Sequence, residues 1–361
     1  MEHLSDRIKK LSESQTIAMA RRSRELIAQG IDIISLSLGE PDFHTPDEIK
    51  KAAHDAIDND FSYYTHVSGY LELRQAIAEK FKRDNNLVYT PDQIVVSTGA
   101  KQSIANVVLS LVNPGDEVIV PSPYWVSYLE IIKLAEGKSV IVDANIESNF
   151  KVTAKQIEAA ITPKTRLIMF STPCNPTGSV YSRDELKAIA EVVAKHEGVY
   201  IMSDEIYEHI NFVGKHECMA QFDFIYDRVI TINGVSKGFA MTGWRGGILA
   251  APLWIAKACD KMQGQFTAAT SSITQKAMYA AMKMPATTTH EMCNAFKRRR
   301  DLVLAGLNEI PGIKTNIPDG AFYVYPEVSA FFGKKYGNHV IKNATDLSLF
   351  LLDEAHVAIV P

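Results

Sequence analysis

The stretch VITINGVSKGFAMTGWR, residues 229–245, places a short apolar strand directly before a lysine that is surrounded by small residues. The run from Val229 to Ile232 is rich in β-branched residues, which predicts a buried strand. Lys237 follows between Ser236 and Gly238, and such small neighbours let the backbone and a flat ligand approach each other closely. The stretch therefore predicts a strand that ends in a binding site.

Four more short β-rich runs precede this one, with helical patterns between most of them. They are Ile94–Ser97, Glu117–Val120, Leu167–Phe170 and Val199–Met202. Apolar strands that alternate with amphipathic helices favour a mostly parallel sheet covered on both faces. We therefore predict an α/β fold.

Candidate ligand-binding groups follow all five strands. They are Thr98-Gly99-Ala100-Lys101, Tyr124-Trp125, Asn175-Pro176, Asp204 and Ser236-Lys237. In open α/β sheets, ligands bind outside the carboxyl ends of the strands. The five groups together predict one site at that edge of the sheet.

Composition narrows the class of protein. The 361 residues are 46% hydrophobic and 22% charged, with a net charge of −4, which argues against a nucleic-acid partner. No apolar run is long enough to span a membrane, and the charged start MEHLSDRIKK lacks the apolar core of a secretory signal. The four cysteines and ten histidines show no CxxC, HExxH or HxH spacing, so neither disulfides nor a metal site are predicted. We expect a cytoplasmic enzyme.

The chain divides into two predicted domains. Residues 46–284 would form a large cofactor-binding domain, and residues 1–45 together with 285–361 a smaller α+β domain. At the first boundary, Thr45-Pro46-Asp47-Glu48 has the pattern of a capping box with proline at the first helical position. In the smaller unit, DGAFYVYPE (residues 319–327) has the alternation of a strand.

Lys237 and Arg245 are the first candidates for chemistry. A lysine is most often a solvated surface charge, but one that is desolvated near an arginine has a lowered pKa and can form a Schiff base with a carbonyl. Arg245, eight residues later, suits the binding of a phosphate by its two parallel N–H groups.

Asp204 ends a nearly all-apolar strand, where a carboxylate must be paired or hydrogen-bonded. It is either a helix N-cap or the counter-ion of a buried cationic ring nitrogen, with Tyr207 one turn later on the same face. Both interpretations remain open at this point.

Three other groups have equally plain structural interpretations. Asn175 before proline is typical of a turn, and Gly99-Ala100-Lys101 is typical of a strand–helix turn, although bare amides at a helix N-terminus also hold anions. Trp125 is either a core residue or a stacking platform. Taken together, the cues predict a ligand with a phosphate, a pyridinium-type ring and a carbonyl. Pyridoxal 5′-phosphate has all three.

Several motifs occur together in one order: SLGEPDF (37–43), STGAKQ (97–102), PYW (123–125), STPCNPTG (171–178), SDEIY (203–207) and SKGFAMTGWR (236–245). In this order and spacing they resemble the class I/II pyridoxal-phosphate aminotransferases of fold type I, with the closest likeness to the bacterial aspartate aminotransferase-like branch. The resemblance extends from about Thr16 to the end of the chain.

The resemblance implies roles for individual residues. Lys237 would hold the cofactor as a Schiff base and move the proton between the substrate α-carbon and the cofactor C4′. Asp204 would keep the pyridine nitrogen protonated, Tyr207 and Asn175 would hydrogen-bond the ring hydroxyl oxygen, and Trp125 would stack on the ring. The phosphate would be held by Gly99, Ala100, Lys101, Ser236 and Arg245.

The resemblance also implies a substrate site and a partner. Gly39, through its backbone, would meet the substrate carboxylate, with Asn175 and Trp125 beside it. Tyr64 matches a tyrosine that reaches the phosphate in the neighbouring subunit, which implies a homodimer with shared active sites.

The expected reaction is a ping-pong transfer of an amino group from an L-amino acid to a 2-oxo acid. Glutamate and 2-oxoglutarate would be the common pair and aspartate the other amino acid. A β-lyase or decarboxylase of the same fold would share most cofactor residues, and a non-catalytic cofactor sensor is the remaining alternative.

Two departures from the family pattern stand out. Gly246 replaces an aliphatic residue, from which we expect a small loss of packing. The family continues beyond the VAIVP segment (357–361) to an arginine that pairs with the substrate α-carboxylate. Either the sequence is incomplete, which we expect, or the protein binds the cofactor but handles amino acids poorly.

Overall fold

The computed structural model describes residues 3–12, 15–337 and 339–361. The strands in this part of the chain are β1 (Ile34–Ser35), β2 (Ile94–Thr98), β3 (Glu117–Ser122), β4 (Lys138–Asp143), β5 (Thr165–Ser171), β6 (Tyr200–Asp204), β7 (Val229–Gly234), β8 (Gly246–Ala250), β9 (Lys335–Tyr336), β10 (His339–Val340) and β11 (Val357–Ala358).

The α-helices of the same residues are α1 (Asp6–Lys9), α2 (Gln15–Ala28), α3 (Asp47–Asp58), α4 (Leu71–Lys80), α5 (Ala100–Leu111), α6 (Ser127–Leu134), α7 (Ala154–Ala160), α8 (Arg183–Ala194), α9 (Leu253–Phe266), α10 (Ser272–Lys283), α11 (His290–Asn308) and α12 (Ala344–Ala355). A π-helical turn, Phe81–Asn85, extends α4, and short 3₁₀ turns lie in several loops. None of these helices is both long and apolar enough to cross a membrane.

The central sheet has the order β2-β8-β7-β6-β5-β3-β4. Strand β8 runs antiparallel to both of its neighbours, and the other pairings are parallel. The predicted mostly parallel sheet is therefore confirmed. Two of its strands were missing from the prediction: β4 carries exposed polar residues at the sheet edge, and β8 begins with Gly246-Gly247, which is not a strand signal.

Both faces of the sheet are covered by helices. Successive residues of β2 point to opposite faces, so that Val96 packs with the cluster that contains Ile49 of α3 and Leu73 of α4. Val95 packs with the other cluster, which contains Val107 of α5 and residues of α6 and α9. Burial on both faces explains why these strands read as continuous apolar runs.

Outside the central sheet, β1 pairs in parallel with β11, so residues near the two ends of the chain lie together. The long helix α11 begins at His290. Residues 319–327 do not form the predicted strand: they are irregular and make only isolated bridges, Asn211 with Gly320 and Lys314 with Glu327. The division of the chain into two domains stays a prediction.

The capping box predicted at Thr45 is also wrong. Helix α3 begins at Asp47 without a side-chain cap, and the Thr45 hydroxyl instead donates to the carbonyl of Ala240 at 2.9 Å. The Ala240 carbonyl is half-buried, so leaving it without a hydrogen-bond donor would cost free energy. The amides at the exposed start of α3 can bond to water instead. A similar pattern at Ser182 and Glu185 does form a capping box, at the start of α8.

Candidate active site

The candidate site residues meet where the parallel strands end. Asp204 is the last residue of β6, Asn175 follows β5 and Lys237 follows β7. The three strands are neighbours in the order β7-β6-β5, so their carboxyl ends share one edge of the sheet. Gly99, between β2 and α5, lies at the same edge because β2 is linked to β7 through β8.

Asp204 is 5% exposed. The hydroxyl of Tyr128 donates to Asp204 Oδ2 at 2.8 Å, and the amide of Ile206 donates to Oδ1 at 3.3 Å. Burial raises the pKa of Asp204 to about 6, against these two hydrogen bonds and the attraction of Lys237. The next residues form a turn and not an α-helix, so Asp204 is not a helix N-cap. It is a buried carboxyl group with its charge only partly compensated.

Lys237 is half-buried, and its amine donates to the carbonyl of Gly39 at 2.5 Å. Burial lowers the pKa of Lys237 to about 8; Arg245 lowers it further, while Glu40 and Asp204 act in the opposite direction. A lysine in this state supplies an uncharged amine near neutral pH, which is the form that attacks a carbonyl.

A second tyrosine, Tyr323, joins the predicted pair Tyr207 and Asn175. The hydroxyl groups of Tyr207 and Tyr323 lie 2.5 Å apart, and the Asn175 amide donates to the Tyr323 hydroxyl at 3.3 Å. Sequence reasoning missed Tyr323 because it assigned DGAFYVYPE to a strand of the smaller domain. The alternation in this segment is typical of a strand, and nothing in the spacing of its aromatic residues points to a site.

The turn at Gly99 has the form of an anion cradle. Gly99 has a φ of +85°, and a Cβ there would clash with the guanidinium of Arg245. A Cβ on Gly247 of the neighbouring strand would clash with the Gly99 backbone and lie 2.5 Å from the Ala100 amide nitrogen. The two glycines thus bring the free amides at the start of α5 next to an arginine, which suits a phosphate.

The remaining cofactor candidates lie around this cradle. Ser236 is buried. Lys101 is exposed over much of its length, but its amine lies over the Trp125 ring at 4.8 Å. Partial burial of that amine, together with Arg245, lowers the pKa of Lys101. Trp125 is half-buried and edge-on to Tyr128, so it adjoins the residue that holds Asp204.

The two candidates from other parts of the chain differ in their surroundings. Gly39 lies in the cleft, where a Cβ would come within 2.6 Å of the Tyr323 hydroxyl. Tyr64 is 99% exposed on its own chain, and none of the contacts described above includes it. The structure therefore brings together all the predicted site residues except Tyr64.

The comparisons with known proteins agree with this geometry. Residues 31–361 match the family of class I and II aminotransferases. An aspartate/prephenate aminotransferase from Cereibacter sphaeroides is 46% identical over 370 aligned positions, which cover 100% of this chain and 91% of that protein. This chain belongs to the class I and II aminotransferase family.

Solved structures of family members have the same fold. The aspartate aminotransferase of Rhizobium meliloti superposes with a TM-score of 0.95 at 41% identity, covering 99% of this chain and 90% of that one. The Thermus thermophilus aspartate aminotransferase with maleate superposes with a TM-score of 0.92 at 39% identity, covering 100% and 92%. The α/β architecture of fold type I is thus confirmed, and the chain is an aminotransferase.

Gly246, the departure from the family pattern, leaves no gap in this aminotransferase. A Cβ at Gly246 would lie 2.7 Å from the sulfur of Met278 and 2.8 Å from Val235 Cγ2. These two side chains fill the space that an aliphatic residue would take. The expected loss of packing is therefore wrong.

A buried polar cluster lies behind the site of the aminotransferase. Glu205, His216 and Cys218 are the residues in the described part of the chain that come close enough to hold a metal ion together. The Glu205 carboxylate accepts from His216 Nε2 at 3.0 Å, from Ser203 Oγ at 2.8 Å and from the Met219 amide at 3.3 Å. The Glu205 carboxylate therefore already has three hydrogen-bond donors within the protein. We interpret the cluster as a structural one that holds the chain in place after β6.

Proposed function

We propose that this aminotransferase uses pyridoxal 5′-phosphate to move an amino group between aspartate and a 2-oxo acid, with glutamate and 2-oxoglutarate as the common pair. One observation carries the proposal: the half-buried amine of Lys237 and the buried carboxyl of Asp204 stand at the ends of adjacent strands and face one cleft. Between them they offer a nucleophile for an aldehyde and a counter-ion for a ring nitrogen.

The residues present fit this cofactor. The charge of Asp204 is only partly compensated, and a protonated ring nitrogen would neutralise it. Tyr207 and Asn175 offer hydrogen-bond donors from the side of the cleft near Tyr323. The amides at the start of α5, with Ser236 and Arg245, would hold the phosphate. When bound, the cofactor supplies an electron sink for the bonds of the substrate α-carbon.

The chain's own residues would perform the remaining steps. Lys237 would hold the cofactor aldehyde and, once displaced by the substrate amine, carry the proton at the α-carbon, for which its lowered pKa is suited. Gly39 would offer its backbone to the substrate carboxylate, with Asn175 beside it and Trp125 stacked on the ring.

The choice of aspartate rests on the relatives. The Cereibacter sphaeroides relative is named for aspartate and prephenate, and the Rhizobium meliloti structure for aspartate. The Thermus thermophilus structure holds maleate, a four-carbon dicarboxylate like aspartate. We propose the same substrate class here, and an assay of acceptors should include prephenate.

We also propose a cytoplasmic homodimer with shared active sites. The four cysteines are free, which suits a reducing compartment. Tyr64, almost fully exposed on its own chain, would reach the phosphate held by the partner. Tyr64→Phe should then weaken cofactor binding without lowering the melting temperature, whereas Tyr63→Phe, at an 82% exposed neighbour, should change neither. Equal cofactor affinity in the two variants, or a monomer by light scattering, would contradict the shared site.

The decisive experiment follows the visible absorption of the purified protein with added pyridoxal 5′-phosphate. We expect a yellow band that disappears on addition of aspartate or glutamate and returns on addition of oxaloacetate or 2-oxoglutarate. Lys237→Ala should bind no Schiff-base form and should not turn over. A band that responds to aspartate with release of carbon dioxide would indicate a decarboxylase, and a band that responds to no amino acid would indicate a sensor.

A further inference from the structure

Three polar groups from three separate segments meet at one point of the cleft. Tyr207 lies after β6, Asn175 lies after β5, and Tyr323 belongs to the irregular segment after α11. The Tyr323 hydroxyl accepts from Asn175 Nδ2 at 3.3 Å and lies 2.5 Å from the Tyr207 hydroxyl. Tyr323 thus contacts both of the others.

The position of Tyr323 is set by the backbone just before it. The Ala321 amide donates to the carbonyl of Ile210 at 2.7 Å, three residues after Tyr207. The amides of Asp319 and Gly320 both donate to the carbonyl of Gly178 at 2.8 and 2.9 Å, three residues after Asn175. The segment is therefore bonded to both loops that carry the other two side chains.

The three segments also pack closely against one another. A Cβ on Gly178 would clash with Pro318 and lie 2.7 Å from the Gly320 carbonyl oxygen. A Cβ on Gly320 would lie 2.7 Å from the Ile210 carbonyl oxygen and 2.8 Å from Pro173. Three backbones touch here because glycines stand at the points of contact.

The contact between the two tyrosine hydroxyl groups can run in either direction. When the Tyr323 oxygen accepts from the Asn175 amide and its own proton points to the Tyr207 oxygen, the Tyr207 proton is left for a different acceptor in the cleft. A phenol that accepts one hydrogen bond also becomes a stronger donor of its own.

We propose that Tyr323 is a positioning residue, which holds the Tyr207 hydroxyl and the Asn175 amide toward the ring oxygen of the cofactor and strengthens Tyr207 as a donor. The inference rests on the proposed function, since it needs a pyridoxal-type ring in the cleft. The segment after α11 would then influence the cofactor's electronics through Tyr207 and Asn175.

The test is Tyr323→Phe, which removes one hydroxyl and keeps the ring that packs edge-on against Tyr207. The control is Tyr325→Phe, the same change two residues later, where the ring packs on Phe150. The measurements are the dissociation constant for pyridoxal 5′-phosphate, from titration of the cofactor-free protein, and the pH midpoint of the visible band.

We expect Tyr323→Phe to raise that midpoint by about half to one pH unit and to weaken cofactor binding roughly 3- to 10-fold, as for the loss of one hydrogen bond. The midpoint rises because a weaker donor at Tyr207 stabilises the negative ring oxygen less. The charged groups that face Tyr207 are Asp204 and Lys237, and neither is altered. A purely structural role would lower the melting temperature and leave the midpoint unchanged.

A double variant separates the outcomes further. If Tyr323 acts through Tyr207, adding Tyr323→Phe to Tyr207→Phe should shift the midpoint less than it does alone. A midpoint and an affinity equal to those of Tyr325→Phe would overturn the inference while the wild-type spectrum still supports the cofactor. A wild-type protein that forms no visible band would instead overturn the proposed function.

Discussion

The hydroxyl of Tyr128 donates a 2.8 Å hydrogen bond to Asp204 Oδ2 from a side chain that is 0% exposed. The tyrosine lies on α6, which covers one face of the sheet, and the aspartate ends β6 in its middle. A buried carboxylate needs such donors to stay ionised, and the Ile206 amide is the other donor that reaches its oxygens. The charge of Asp204 thus depends on a helix that carries no other part of the proposed machinery.

Tyr128→Phe should weaken the proposed site. With one donor lost, the pKa of Asp204 rises above its present value of about 6, and less of the carboxylate is ionised near neutral pH. Because a hydrogen bond to a charged group contributes about 1.5–3 kcal/mol, we expect kcat to fall roughly 10- to 100-fold. The measurement is steady-state transamination of aspartate.

Tyr89→Phe is the matched control, since Tyr89 is also buried and, among the residues that the structure describes, its hydroxyl bonds only Thr231, at 3.3 Å. It should lower the melting temperature with little effect on kcat. Equal loss of activity in the two variants would show that Tyr128 matters only for packing.

Asp204→Asn should stabilise the cofactor-free protein. The folded-state pKa of about 6 lies above the ordinary value of 3.8, so folding opposes ionisation of this group. The penalty is absent below about pH 4, grows between 4 and 6, and is complete above 6, where it amounts to roughly 2–3 kcal/mol. Urea unfolding of both proteins at pH 4 and pH 7 measures the difference.

The stability gain of Asp204→Asn should therefore be larger at pH 7 than at pH 4. The kcat of transamination should fall on the order of 100-fold or more, because a fixed charge opposite a developing charge is lost. A variant that is less stable at both pH values would mean that the carboxylate is held by its hydrogen bonds without strain.

The amine of Lys237 should react with the cofactor aldehyde near neutral pH. Its pKa is lowered from 10.5 to about 8, mainly by burial, so the uncharged amine becomes abundant about 2.5 pH units lower than for a surface lysine. We expect the rate of Schiff-base formation to rise with pH to a midpoint near 8. Stopped-flow absorbance after mixing the cofactor-free protein with pyridoxal 5′-phosphate provides the measurement.

For comparison, a short peptide with a single exposed lysine should show a midpoint near 10.5 in the same assay. A midpoint in the protein close to that of the peptide would contradict the burial of the amine. Loss of the fast phase in Lys237→Ala would assign it to this residue.

Gly178→Ala should disturb the contact between the NPTG loop and the segment that carries Tyr323. Gly178 has a φ of +68°, and a Cβ there would clash with Pro318. Gly115→Ala is a close control, because Gly115 has a φ of +86° and open space around it. Both variants incur the strain of a left-handed alanine, about 1–2 kcal/mol, and only the first adds the clash.

Urea unfolding should therefore give Gly178→Ala a loss larger by about 1–3 kcal/mol, the usual cost of overpacking, together with a fall in kcat that Gly115→Ala does not show. If the two glycines cost the same and activity is kept, the segment at Pro318 moves freely and does not fix Tyr323.

The sequence alone determined the central sheet and its ligand-binding edge. Runs such as Ile94–Ser97 and Val229–Ile232 are apolar throughout because both faces of the sheet are buried, and that pattern is local and readable. The polar groups that follow these strands were identifiable because burying a charged group costs free energy unless it is paired or hydrogen-bonded. A carboxylate such as Asp204 or an amine such as Lys237 shortly after a buried strand therefore indicates a site.

Only the tertiary structure decided how these groups are held. Tyr128 on α6, Tyr323 after α11 and the carbonyl of Gly39 each meet the site from far away in sequence, and no spacing predicts such contacts. The same reason accounts for the failed expectation at Thr45, whose hydroxyl bonds Ala240 across the fold instead of its own helix. A strand's burial is determined by its own residues, whereas a hydrogen bond between distant segments depends on where the whole chain places them.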